Sequence, residues 1–250
     1  MMRYKNGRKV SPSVFLALRY VTKVGVITRK TWDELFGKGT KRWKRKQLRL
    51  LLNAKVLKKH PYEEVNDTFI LGHQGLEMVE SMKWRGVHLV QPKYIKHDEI
   101  IAKGLLRLEA ESLCQKWMTE SELKSQKSAT FRLHGLEGGA KYPDAVFKLQ
   151  GNSASQIVAL EYEKTSKSSW RYNKAIKAYS DSGEFGTVLF IVETPAIEDL
   201  IKRSMRFIGD PALNAKIGFI SIEDWKKCPI TAPIRGPIKG QSLNEIAQRT

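Results

Sequence analysis

Apolar positions recur at helical spacing in Ser13-Val14-Phe15-Leu16-Ala17-Leu18-Arg19-Tyr20-Val21, a run that ends near Gly25, a residue suited to stop a helix. A second helix is expected from a cap at Thr28 or Thr31 and covers Trp32 to Phe36. Thr40 caps a third, with Leu48, Leu51, Leu52 and Val56 as its buried stripe. Two short strand-like runs follow, Val56 to His60 and Asp67 to Leu71, separated by a polar turn. From about residue 93 the texture changes. A long helical pattern over Asp98 to Trp117 precedes five candidate strands: Ala129 to Leu133, Tyr142 to Leu149, Gln156 to Lys164, Thr187 to Glu193 and Lys216 to Ile222. Helical stretches Ser168 to Tyr179 and Ala196 to Ile208 lie between the last three. The order α-β-β-β-α-β-α-β describes one α/β domain, and Gly138-Gly139 and Gly151-Asn152-Ser153 are the turns expected to join its first three strands.

Charge sharpens this division. The 250 residues carry a net +18, yet residues 1–60 hold 18 Lys or Arg against only Asp33 and Glu34. The remainder is almost balanced, so the basicity reads as a local contact surface for a polyanion, double-stranded DNA first of all. Its densest run begins at Lys38 and contains Lys41, Arg42, Lys44, Arg45, Lys46 and Arg49, the candidate DNA contacts. One Trp between Lys41 and Lys46 gives no continuous apolar face, which argues against a membrane surface as partner. No stretch is long enough to span a bilayer, residues 1–9 lack the apolar segment of a secretion signal, and two cysteines suggest a reducing compartment. The expected location is the bacterial cytoplasm.

The three helices followed by a hairpin resemble a winged helix-turn-helix domain, assigned to residues 1–92. That resemblance implies that the second helix of the pair lies in the major groove.

The candidate chemistry is carboxylate chemistry. Pro143-Asp144 opens one apolar strand and Glu161-Tyr162-Glu163-Lys164 ends the next. Alternation puts Glu161 and Glu163 on one face with Ile157 and Ala159. If Asp144 comes alongside, three anionic side chains converge, and a hard divalent cation, Mg²⁺ or Mn²⁺, is the usual compensation. Lys164 could assist the nucleophile or the scissile phosphate. On the following helix Lys167, Arg171, Lys174 and Lys177 form a cationic ridge suited to a DNA backbone, or else the solvated side of a helix whose apolar side is Tyr172, Ile176 and Tyr179. Glu109 and Glu111 are candidates for an additional acid, and are as well explained as exposed helical residues.

Pro143-Asp144 followed by Glu161-x-Glu163-Lys164 resembles the active-site signature of the PD-(D/E)xK nuclease superfamily. The fuller run from Ala159 through Trp170-Arg171-Tyr172 is similar to the MobC-type plasmid relaxases and the related replication-relaxation proteins. The resemblance implies an α/β (α+β) nuclease domain with a central mixed sheet over residues 93–227. It also implies that Asp144, Glu161 and Glu163 bind metal or activate water and that Lys164 supports the reaction. Glu163 stands where Lys is commoner, and Lys164 is shifted by one. Residues 228–250, with Pro229, Pro233 and Pro237, read as an extended or mobile tail.

The expectation is a metal-dependent, site-specific DNA nicking endonuclease of a plasmid or other mobile element. One site per chain favours nicking, and a homodimer would allow both strands to be cut. Tyr142, Tyr162 and Tyr172 leave covalent attack open. The alternative is a non-catalytic DNA-binding accessory protein or transcriptional regulator with a degenerate nuclease-like domain. Scattered histidines and the lack of a Gly-x-x-x-x-Gly-Lys-Ser/Thr loop argue against a histidine metal centre and a nucleotide cofactor.

Overall fold

The computed structural model describes residues 12–36, 39–61, 67–84, 92–134, 141–238 and 241–249. The amino-terminal residues 1–9, Lys38 and the Gly138-Gly139 turn lie outside them. The chain is mixed α/β and divides into two compact units, residues 1–99 and 100–250. Among the described residues no helix is long and apolar enough to cross a membrane.

In the first unit α1 (Pro12–Val24) leads through β1 (Ile27–Thr28) into the short α2 (Arg29–Thr31), continued by a wider turn over Trp32–Phe36. The Thr28 hydroxyl accepts the Thr31 N–H, so the cap is Thr28. Glu99 reinforces it. This buried carboxylate accepts the Thr28 N–H at 3.0 Å, a backbone donor that the start of a helix leaves unpaired, and the Thr31 hydroxyl at 2.5 Å. Thr40 caps α3 (Lys41–Asn53), which buries Leu48 and Leu51 and leaves Lys41, Arg42, Arg45, Lys46 and Arg49 exposed. Lys44 is half-buried, its ammonium donating to the Asp33 carbonyl at 2.5 Å. β2 (Leu57–Lys59) and β3 (Thr68–Leu71) pair antiparallel, and β3 also pairs with β1, giving a three-stranded sheet ordered β1-β3-β2. β3 runs directly into α4 (His73–Ser81).

The second unit is built on a five-stranded mixed sheet. Helix α5 (Pro92–Ala110) ends earlier than its apolar periodicity suggests, because Ser112 turns the chain through φ 60° and Cys114–Thr119 forms the edge strand β4. The expected strand at Ala129 to Leu133 is reduced to one bridge, Leu133 with Lys141. The first strand is therefore displaced in sequence: Cys114 and Trp117 bury against β5, whereas Ala129 to Arg132 make no ladder. α6 (Glu120–Ser125), β5 (Ala145–Gln150), β6 (Ser155–Glu163), α7 (Ser169–Asp181), β7 (Thr187–Val192), α8 (Pro195–Ile208), α9 (Pro211–Asn214), β8 (Ile217–Ser221) and α10 (Ile222–Lys227) follow. The order is β4-β5-β6-β7-β8, antiparallel from β4 to β6 and parallel from β6 to β8.

One sheet face, with Val146, Ala159, Val188, Phe190 and Phe219, packs under Tyr172, Ile176 and Tyr179 of α7 and Ile197 and Ile201 of α8. In α5, Gly104 lets the Trp225 ring approach the helix: a β-carbon there would lie 2.2 Å from the ring, and the indole N–H donates to the Ile100 carbonyl.

Residues 228–250 are not a free appendage. Arg235 exchanges both backbone hydrogen bonds with Phe219, so the tail lies along the outer edge of β8 and covers backbone groups that a sheet edge leaves unpaired. Ile234 is buried, close to Gly218, where a β-carbon would come within 2.5 Å of its side chain. α11 (Leu243–Arg249) buries Leu243, Ile246 and Ala247 and packs against β5. The prolines end regular structure, but the apolar residues between them fill the core.

Candidate active site

The ladder between β5 and β6 pairs Ala145 with Leu160, so the next rung outward sets Asp144 opposite Glu161. The Tyr162 N–H donates to Asp144 Oδ2 at 2.7 Å, fixing the aspartate against the end of β6. Glu161 and Glu163 follow on the face covered by α7, and both are almost fully enclosed, 2% and 4% exposed. Alternation put Glu161 and Glu163 on one face of β6, and the register of β5 with β6 brings Asp144 to the same end. That end is also the carboxyl end of the parallel pair β6 and β7, where open α/β sheets commonly hold their ligands.

Two buried carboxylates need counter-charges and donors. Glu161 Oε1 receives the Lys141 ammonium at 2.9 Å and the Tyr179 hydroxyl at 2.6 Å. Glu163 Oε1 receives the Lys167 ammonium at 2.7 Å. Lys141 reaches the cluster from the segment that the Leu133 bridge ties down, and it interacts electrostatically with Glu161, Asp144 and Glu163 together. Lys164 stands exposed beyond the end of β6. The inner lysine is thus Lys141, three residues before Asp144, which the sequence motif did not single out. Nothing in its spacing distinguishes it; its backbone enters the strand ends just before β5, where it bridges to Leu133. Tyr179, read from the helical pattern as a core residue, is buried and also serves as a donor to the acid cluster.

The electrostatics follow from enclosure. Burial is the largest influence on Glu161 and lifts its pKa to about 7, with Asp144 and Glu163 adding to the rise and Lys141 opposing it. Burial likewise raises Glu163, against the pull of Lys167. For Lys141 burial acts downward, but the surrounding carboxylates outweigh it and hold the ammonium firmly protonated. Tyr162 and Tyr172 are protonated as well. Burial, then Glu163, pushes Tyr172 up to about 12, and burial with the Glu193 hydrogen bond raises Tyr162, whose hydroxyl donates to Glu193. Phenols held in this state are poor nucleophiles.

Among the described residues no group of three or more His, Cys, Asp or Glu is spaced to hold a metal ion. A closed cage of three acids is therefore not formed, and Glu163 is committed to Lys167. An Mg²⁺ ion commonly takes only one or two carboxylates, completing its shell with water and substrate phosphate. Asp144, an oxygen donor at the strand end beside Glu161, matches that chemistry, whereas Glu161 is already engaged by Lys141 and Tyr179.

Of the expected cations α7 carries Arg171, Lys174 and Lys177, while Lys167 lies ahead of the helix, in the segment after β6. Arg171 and Lys177 are exposed, Lys177 pairing with Asp181 at 2.6 Å, and Lys174 lies over the Trp170 ring. The apolar side, Tyr172, Ile176 and Tyr179, is buried as the spacing required. Glu109 accepts the Trp117 indole N–H at 3.3 Å and Glu111 is exposed. No family model, no curated protein and no solved structure matches this chain.

Proposed function

We propose that this chain is a DNA endonuclease that nicks one strand at a recognised site, similar to the relaxases of plasmids and other mobile elements and acting in the bacterial cytoplasm. The observation that carries the reading is the meeting of Asp144, Glu161 and Lys141 at the ends of β5 and β6, with a cationic helix beside them. A phosphodiester needs two things here: a group to take a proton from the attacking water, and positive charge where negative charge grows. Glu161, with a pKa of about 7, is poised for the first. Lys141, held protonated at the same carboxylate, supplies the second. Lys167 and Arg171 would hold the neighbouring phosphates, and Lys164 is placed to meet the substrate from solvent. Mg²⁺ or Mn²⁺, held at Asp144 with its shell completed by water and substrate phosphate, would supply Lewis-acid polarisation of the phosphate.

The first unit is read as a winged helix-turn-helix domain and the second as a PD-(D/E)xK-like nuclease domain. The order of three helices and a hairpin, with α3 exposing five cations, supports the first assignment. The mixed sheet with acids at the ends of its second and third strands supports the second. Double-stranded DNA is the partner, and a homodimer would place two such sites on one duplex.

The test is direct. Supercoiled plasmid carrying DNA selected by its binding to the chain should become open circles with Mg²⁺ or Mn²⁺, and should stay closed with Asp144→Asn. A second reading rests on the internal pairing of Glu161 with Lys141 and Glu163 with Lys167, which satisfies the buried acids without any ligand. It makes the chain a non-catalytic DNA-binding accessory protein or regulator, and plasmid that remains closed while still bound would establish it.

A further inference from the structure

Trp170 is 55% exposed, although a tryptophan of this size ordinarily contributes its ring to a core. It lies in the first turn of α7, three residues after Lys167 and two before Tyr172. Lys167 is bound to Glu163, and the Tyr172 hydroxyl accepts the Lys167 N–H at 3.3 Å, so the backbone that carries Trp170 is anchored to the acid cluster on both sides. The Lys174 ammonium sits 4.7 Å from the centroid of the Trp170 ring. That contact orients the indole and adds positive charge at its face. Arg171, next in sequence, is exposed.

An exposed flat ring with a lysine over its face, in a segment that also carries Arg171 and Lys167, suits one kind of ligand, a planar aromatic group attached to a polyanion. Duplex DNA offers phosphates to the cations but keeps its bases stacked inside. Only an unpaired nucleotide offers both parts at once, its base to the indole and its phosphates to Lys174, Arg171 and Lys167. We propose that Trp170 is a stacking platform for an unpaired nucleobase, so that the strand brought to the Asp144/Glu161 cluster is single-stranded or locally melted. This deepens the nicking reading, on which it rests, by naming the form of DNA the site accepts. A base held on α7 would fix the position of the backbone relative to the acids, and the cost of unstacking would be least at mismatched or already opened sites.

The experiment measures binding, not cutting, with the full chain in EDTA. Fluorescence anisotropy compares a labelled single-stranded oligonucleotide, the same oligonucleotide carrying one abasic nucleotide moved along its length, and the matching duplex. Trp170→Ala should weaken single-strand binding by about 5- to 100-fold, the range of one lost base stack, and leave duplex binding unchanged. Trp170→Phe should retain most of the affinity. At one position the abasic nucleotide should weaken the parent chain but not Trp170→Ala, since the two changes remove the same contact. Equal losses for single strand and duplex, or no loss for either, would overturn the platform. A chain that binds single strands through Trp170 yet never nicks plasmid defeats the nuclease reading alone; one that nicks and ignores Trp170→Ala defeats the platform alone.

Discussion

The Lys141 ammonium and Glu161 Oε1 are 2.9 Å apart, and they join a side chain from the segment before β5 to one inside β6. The glutamate is 2% exposed at its side chain and the lysine 31%, so the lysine links an enclosed acid to solvent. Removing the cation leaves the acid with Tyr179 and two like charges nearby. Lys141→Met should destabilise the chain by about 2–3 kcal/mol at pH 8, somewhat below the cost of breaking a fully buried pair, and by much less at pH 5. Urea unfolding at the two pH values checks this. A loss of equal size at both would mean that Lys141 acts through packing alone.

Glu161 also sets a pH dependence. Its folded pKa of about 7 lies above the ordinary value of 4.5, so the folded chain holds the proton more tightly than the unfolded chain does. The stability this contributes is complete below about pH 4.5 and is lost as pH rises through about 7, on the order of 3 kcal/mol for the full shift. Glu161→Gln carries no such proton. The difference in unfolding free energy between the two proteins should therefore change across pH 4.5–7 and be flat above pH 8.

The nicking rate should run the other way. If Glu161 takes the proton from water it must be ionised, so the rate should climb about tenfold per pH unit below 7 and level off above it. The form that works is then the less stable one. An apparent pKa belonging to the whole cluster is what such a profile reads; a rate independent of pH between 5 and 8 would remove Glu161 from the proton transfer.

Asp144 separates chemistry from folding. Asp144→Ala strands the Tyr162 N–H and should cost about 1–3 kcal/mol, whereas Asp144→Asn keeps an acceptor oxygen and should cost less. Both should abolish nicking and leave DNA affinity nearly intact. Thermal melting beside the plasmid assay distinguishes the two effects.

On α3, replacing Arg42, Arg45 and Lys46 together by Ala should weaken DNA binding and flatten its salt dependence by roughly three units in log K against log salt, if each meets a phosphate. All three are exposed, so stability should hardly move. An unchanged salt slope would place the DNA elsewhere.

Leu243, wholly buried in the tail, should cost about 2–5 kcal/mol when cut to Ala, the usual range for a core leucine. A mobile tail would tolerate the change without measurable loss.

Local patterning carried much of this protein. The alternation in Ile157-Val158-Ala159-Leu160-Glu161-Tyr162-Glu163 determined a strand with two acids on one face, and Thr40 with the leucine stripe of α3 determined a helix whose cations face water. These properties depend on neighbours a few residues away, so they are written in the order of residues. Tertiary structure decided the rest. The pairing of Phe219 with Arg235 turned a proline-punctuated tail into the cover of a sheet edge. The turn at Ser112 made Cys114–Thr119 a strand where helical spacing ran on. The path of the chain into β5 put Lys141, and not Lys164, against Glu161. The pairings of Cys114–Thr119 with β5, of Phe219 with Arg235 and of Lys141 with Glu161 join residues well apart in the chain, and their free energy comes from surfaces that exist only once the sheet has formed.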